Sequence, residues 1–166
     1  MLPNDVQVML VNPGSGGLTG VRPGYPTWPE QAASLLQACF PGEDGYPTPE
    51  KARAEVDDLR ENATCLIIAV DAAGVVALVA GLEAYRGRVW ELHPLAVRAD
   101  RRGRGIGSRL VSLLEEEAIR AGVGTMILGT DDTEERTSIG GRSILPGALD
   151  NLRRLHDVQD THLRFT

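Results

Sequence analysis

Two short segments carry residue types that could do chemistry. In Val89-Trp90-Glu91-Leu92-His93-Pro94-Leu95-Ala96-Val97 a carboxylate and an imidazole stand two positions apart. On an alternating strand that spacing puts Glu91 and His93 on one face. Such a pair can strip or relay a proton from an ammonium group; it can also be an exposed ion pair at a strand end. The second segment is Arg102-Gly103-Arg104-Gly105-Ile106-Gly107-Ser108. Glycines without Cβ atoms let a backbone curl and approach a ligand. The first amides of a helix have no internal partners and sit at the positive end of its dipole. A diphosphate can bind there, and Arg101, Arg102 and Arg104 add positive charge.

Spacing alone leaves other readings of the glycine turn open. A dinucleotide site of the G-x-G-x-x-G type calls for different spacing, a strand–helix–strand unit and an acidic residue about 20 positions on. The N-terminal half does not supply that organisation. An arginine–glycine nucleic-acid segment would need repetition and disorder. A strand-to-helix turn that holds no ligand also fits.

These segments need elements to position them. Val6–Val11 reads as a strand. Asn12–Pro29, dense in Gly and Pro, reads as a loop. Glu30–Phe40 has helical spacing of Ala32, Leu35, Leu36 and Phe40. Thr48, as N-cap, and Pro49 start a helix to about Arg60. Thr64–Val70, Val75–Tyr85 and Arg88–Val97 read as strands, the last two a hairpin around Arg86-Gly87. After the glycine turn, Ile106–Ala121 has a stripe of Ile106, Leu110, Leu113, Leu114, Ala118 and Ala121. Gly122 caps that helix, and Thr125–Leu128 is a strand. Asp131–Pro146 is a loop and Ala148–Val158 a helix. The order predicts one mixed α/β (α+β) domain over residues 1–166.

Composition narrows the partners. A chain of 166 residues with 42% hydrophobic content suits a single core. No apolar run is long enough to span a membrane, and the start MLPNDVQVML has no signal-peptide character. Cys39 and Cys65 lie in apolar stretches, which fits buried thiols in a reducing cytoplasm. The net charge of −6 argues against nucleic acid and favours a cationic small molecule.

Arg102-x-x-Gly105-x-Gly107 resembles the acetyl-CoA pyrophosphate motif, R/Q-x-x-G-x-G/A, of the GNAT acetyltransferase superfamily. Together with WELHPL, Leu128-Gly129-Thr130-Asp131-Asp132, Arg136-Thr137-Ser138 and Gly140-Gly141, it looks like the aminoglycoside 6′-N-acetyltransferase branch, over roughly Ala32 to Leu149. The resemblance implies a mostly antiparallel sheet flanked by helices. It places acetyl-CoA, as cosubstrate, between two splayed strands, Arg88–Val97 and Thr125–Gly129. Ala96, Val97, Arg102, Gly103, Arg104, Gly105, Ile106, Gly107 and Ser108 would hold it. Glu91 and His93 would sit by the acceptor amine, and the Leu95 amide would polarise the thioester carbonyl. Trp90, Asp131 and Asp132 would face a polycationic amine acceptor, although the two aspartates also suit plain turn chemistry. Transfer would be direct, with no metal and no covalent nucleophile.

The family pattern continues through His-Pro-Tyr/Phe-x-Phe-Tyr and two more strands. Here the sequence reads Thr161-His162-Leu163-Arg164-Phe165-Thr166, with Thr166 where the pattern has a Tyr. That departure predicts an unpaired edge at the Thr125–Leu128 strand, either covered by a second subunit in a homodimer or leaving the chain less stable than its relatives. It also leaves a second function in view, a catalytically weak acyl-CoA-binding module.

Overall fold

Local signals start both helices that precede the sheet's main strands. The Glu30 carboxylate accepts from the Thr27 amide at 2.6 Å and so fixes the first turn of α1 (Trp28–Cys39). The helix begins two residues earlier than its apolar spacing predicts, because Trp28 and Pro29 are part of that turn and are buried in it. Thr48 Oγ1 accepts from the Lys51 amide at 3.2 Å, and Pro49 opens α2 (Pro49–Asn62). The second is the N-cap the sequence leads one to expect; the first is a capping box at Thr27, within the segment expected to be loop. A computed structural model of the chain describes residues 2–11, 27–85 and 88–128. The sequence-predicted loop 131–146, the helix 148–158 and Thr166 lie outside them.

The strands are β1 (Gln7–Val11), β2 (Cys65–Asp71), β3 (Gly74–Tyr85), β4 (Val89–Val97) and β5 (Thr125–Ile127). They form one sheet in the order β1-β2-β3-β4-β5. The first three pairings are antiparallel and the β4–β5 pairing is parallel. Parallel neighbours need a crossover, and α3 (Ile106–Arg120) supplies it. The predicted class, mixed and mostly antiparallel with flanking helices, is the one observed.

Each face of the sheet has its own apolar layer. On one face, Leu36 of α1 and Val56 and Leu59 of α2 pack with Ile68, Leu78 and Ala96. On the other, Ile106, Leu110 and Leu114 of α3 pack with Ile67, Val79, Trp90 and Leu92. The α3 stripe is the sequence-predicted one except at its edges: Leu113 is half-buried and Ala121 exposed. Gly122, at φ 76°, follows the helix end as expected.

Two irregularities shape the middle of the sheet. Val79 pairs with Leu95 and Gly81 with Leu92, so His93 and Pro94 lie opposite Ala80 alone. That is a β-bulge, with a residue that cannot donate to the ladder at the extra position. Second, β5 pairs only with Val89, Trp90 and Glu91, while β4 runs on to Val97. The two parallel strands therefore share a short base, with the bulge just beyond it. Among the described residues no helix is long and apolar enough to cross a membrane.

Candidate active site

The glycine turn connects β4 to α3, and its three glycines have different physical tasks. Gly103 (φ 71°) and Gly105 (φ 78°) occupy the left-handed region, and a Cβ at either would meet no atom within 4 Å. They are needed for conformation rather than for room. At Gly107 a Cβ would come within 3.3 Å of Val97 Cγ2, so this glycine lets α3 lie close against β4. Gly105 is the N-cap, no side chain caps the helix, and its first turn holds no acidic residue. Its carbonyl accepts from the Arg109 amide, the first bond inside the helix. The amides of Ile106, Gly107 and Ser108 precede that bond and are left for an external acceptor. A diphosphate fits such a terminus on charge and geometry. The Ile106 side chain is buried among α3's core contacts, so only its backbone faces outward chemistry.

The neighbouring arginines divide their work. Arg102 is turned back on the strand: its Nε donates to the Val97 carbonyl at 2.9 Å, and its Nη2 lies 3.5 Å from Cys39 Sγ. Cys39 Sγ in turn lies 3.5 Å from the same carbonyl. Arg101 does not lend its charge to the turn as expected. It pairs with Asp71 and, at 2.8 Å, with Asp5. Arg98 also reaches Asp71, at 3.1 Å, and Asp100, at 2.7 Å. The Asp71 side chain is only 2% exposed, so its charge is satisfied by the two guanidiniums. Arg104 is exposed. Ala96 is buried in the layer under α1 and α2, and Val97 is half-buried.

The bulge organises the second cluster. Glu91 pairs with Leu82, whose side chain packs on the α1–α2 face. His93 reaches the same face, where its Nε2 lies 3.6 Å from Glu55 Oε1 of α2. The extra residue falls at Pro94, after His93, so the expected same-face placement of Glu91 and His93 holds. Beyond the bulge the parity reverses, and Leu95 packs toward α3. Tyr46, in the connection between α1 and α2, places its hydroxyl 3.5 Å from His93 Nε2. Burial, then the charge of Glu55, drive the Tyr46 phenol above its ordinary pKa; the Glu55 carboxylate also accepts its hydrogen bond. His93 is raised as well. The Glu55 hydrogen bond is the largest cause; burial opposes it, and the charges of Glu55 and Glu91 add to it.

Nothing in the sequence marks Glu55 or Tyr46 as part of this cluster. Glu55 sits in a run of charged residues on a helix whose solvated face explains most of them. No local signal singles it out as the one that meets β4. Trp90 requires a correction. Its side chain is 3% exposed and packs in the α3 layer. The ring occupies the space over Gly81, where a Cβ would lie 2.8 Å from Trp90 Cε3. It is a core residue and does not face an acceptor. Asp131 and Asp132 lie outside the described residues.

The two cysteines are free and buried. Burial, then Glu117, push the Cys65 thiol up to about 11, against a smaller opposing effect of Arg120. Such a thiol is a poor nucleophile at neutral pH. Among the described residues no group of three or more His, Cys, Asp or Glu could hold a metal ion.

The sheet thus carries a short parallel pair, an uncapped helix start on one face and a carboxylate–imidazole cluster on the other. The acetyltransferase (GNAT) family profile matches residues 30–140, and the chain belongs to that family as an acetyl-CoA-dependent N-acetyltransferase. Among solved structures, it is 30% identical to an aminoglycoside 6′-N-acetyltransferase complexed with coenzyme A (TM-score 0.62, covering 75% of this chain and 67% of that one). It is 31% identical to an aminoglycoside 6′-N-acetyltransferase from Enterococcus faecium (TM-score 0.60, with the same coverage, 75% and 67%). A GNAT family N-acetyltransferase from Escherichia coli in complex with CoA shares the fold at 21% identity (TM-score 0.55, covering 76% and 63%). No match was found among curated protein sequences.

Proposed function

We propose that this enzyme acetylates a primary amine of a polycationic small molecule, with aminoglycosides as the acceptor class. The observation that carries this reading is the cluster of Glu91, His93 and Glu55 beside the β4 bulge. Two carboxylates and an imidazole on one face suit a cationic ligand, and the net charge of −6 agrees. The similarity to two aminoglycoside 6′-N-acetyltransferases at 30% and 31% identity supports the same class.

Acetyl-CoA supplies an activated acyl group as a thioester. This chain's part begins with the amides of Ile106, Gly107 and Ser108, which hold the diphosphate. Gly103 and Gly105 give the turn its shape, and Arg102 fastens the turn to the end of β4. The Leu95 amide, just past the bulge, serves as the donor to the thioester carbonyl. Glu91 and His93 take the proton of the incoming ammonium, directly or through water, because only the neutral amine attacks. The buried Cys65 plays no part, so transfer is direct. We place the enzyme in the cytoplasm, where two free buried thiols are stable. Among the described residues β5 is an edge of the sheet, and assembly through it is the form we propose for a homodimer.

The test supplies acetyl-CoA with a panel of amines and follows release of free thiol. Turnover with aminoglycosides above simple mono-amines supports the reading. Calorimetric binding of CoA with no thiol release from any amine would replace it with the weak acyl-CoA-binding module.

A further inference from the structure

The proton transfer proposed above uses Glu91 and His93 and gives no step to the two groups beside the His93 ring. Two groups remote in sequence from β4 converge on one nitrogen of His93. Glu55 Oε1, from α2, lies 3.6 Å from His93 Nε2. The Tyr46 hydroxyl, from the α1–α2 connection, lies 3.5 Å from the same atom and hydrogen-bonds to Glu55. Tyr46 is 7% exposed, so its hydroxyl is fixed by the core and not by solvent. The Glu55 side chain is 25% exposed, less than the 47% of His93. A carboxylate held in this way favours a proton on the nitrogen it faces, which leaves Nδ1 as the ring's lone pair.

We propose that Glu55, held by Tyr46, is the positioning residue for His93, fixing the ring and keeping the proton on Nε2 so that Nδ1 faces the acceptor. This inference rests on His93 as the group that takes the acceptor's proton. In that step an N–H bond of the ammonium breaks and an Nδ1–H bond forms. The ring becomes an imidazolium whose charge Glu55 balances; the neutral amine then attacks the thioester carbonyl, the C–S bond breaks, the departing CoA thiolate takes the second proton of the nitrogen to become the free thiol, and the imidazolium returns its proton to water. The arrangement follows the general logic in which a base is oriented by a third group. The raised pKa of His93 has Glu55 as its main source. The titratable groups that face His93 are Glu55 from α2, Tyr46 from the connecting loop and Glu91 from β4 itself.

The experiment compares wild type with Glu55→Gln, Glu55→Asp and Glu91→Gln. NMR titration of the His93 ring is read on the free enzyme and needs no acceptor; kcat/KM against pH is read with acetyl-CoA and kanamycin. Glu55→Gln is expected to lower the His93 midpoint by more than Glu91→Gln does. The acid limb of kcat/KM moves down with it, and the plateau falls about tenfold. Glu55→Asp, which keeps the charge on a shorter stem, gives an intermediate midpoint. A midpoint unmoved by Glu55→Gln, or moved less than by Glu91→Gln, overturns the inference while the acetyltransferase reading stands. A midpoint that moves while the acid limb stays overturns His93 as proton acceptor, and the inference with it.

Discussion

At Glu91 and His93 the chemistry turns on which group is charged at neutral pH. The Glu55 carboxylate, which accepts from the ring, favours the charged imidazole, so His93 stays protonated to higher pH than a free histidine. A base must be neutral to accept a proton. Acetyl transfer should therefore rise with pH through a midpoint above the usual imidazole value, and kcat/KM profiles across the mildly acidic to alkaline range will report it. Glu91→Gln keeps the shape of the site and removes one carboxylate. We expect turnover to fall by about 10- to 100-fold, with the dissociation constant for CoA, read by calorimetry, within about twofold of wild type. Equal turnover in that variant would remove Glu91 from the mechanism. The pairing of Glu91 with His93 is legible in the sequence because period-two alternation survives up to His93. Glu55 and Tyr46 are not, because their role exists only where α2 and its preceding loop meet β4.

Among the elements, β4 is where sequence and structure diverge most instructively. Alternation predicts a regular strand, and the bulge at His93–Pro94 reverses the parity of everything after it. Proline is the one local sign of that event. Trp90 misleads for a related reason. A tryptophan next to a carboxylate proposed to be catalytic suggests a substrate platform, but the cavity that receives it is made by the missing side chain of Gly81 on the next strand. Gly81→Ala should cost about 1–3 kcal/mol through overpacking against Trp90 and Leu114, measured by urea denaturation. Gly105→Ala tests conformation instead of space. Its φ of 78° is unfavourable to any residue with a Cβ. About 1–2 kcal/mol of stability should be lost, and CoA should bind more weakly because the helix start is re-aimed. The elements themselves are legible because their capping residues, stripes and turns agree with one another.

Across the whole molecule, long-range ties hold the glycine turn in place. Asp71 ends β2, Asp5 precedes β1, and Arg98 and Arg101 precede the glycine turn; their ion pairs join the three. Asp71→Ala leaves two guanidiniums facing a buried gap, and we expect a loss of about 2 kcal/mol, read as a lower urea midpoint. Affinity for CoA should fall too, although Asp71 is proposed to touch no ligand. If the variant binds CoA as tightly as wild type, the network is a stability device alone. None of these partners can be paired from sequence, since charge spacing says nothing about which loops meet.

The sheet also acts as a partition. The helix whose start is proposed to hold the donor lies on one face, and the helices beside the proposed acceptor cluster lie on the other, each with its own apolar layer. Substitutions that reshape α1 and α2 can thus retune which amine is admitted without disturbing the handle for the coenzyme. Diversification of substrate choice on a constant donor grip is what such a two-sided plan makes easy.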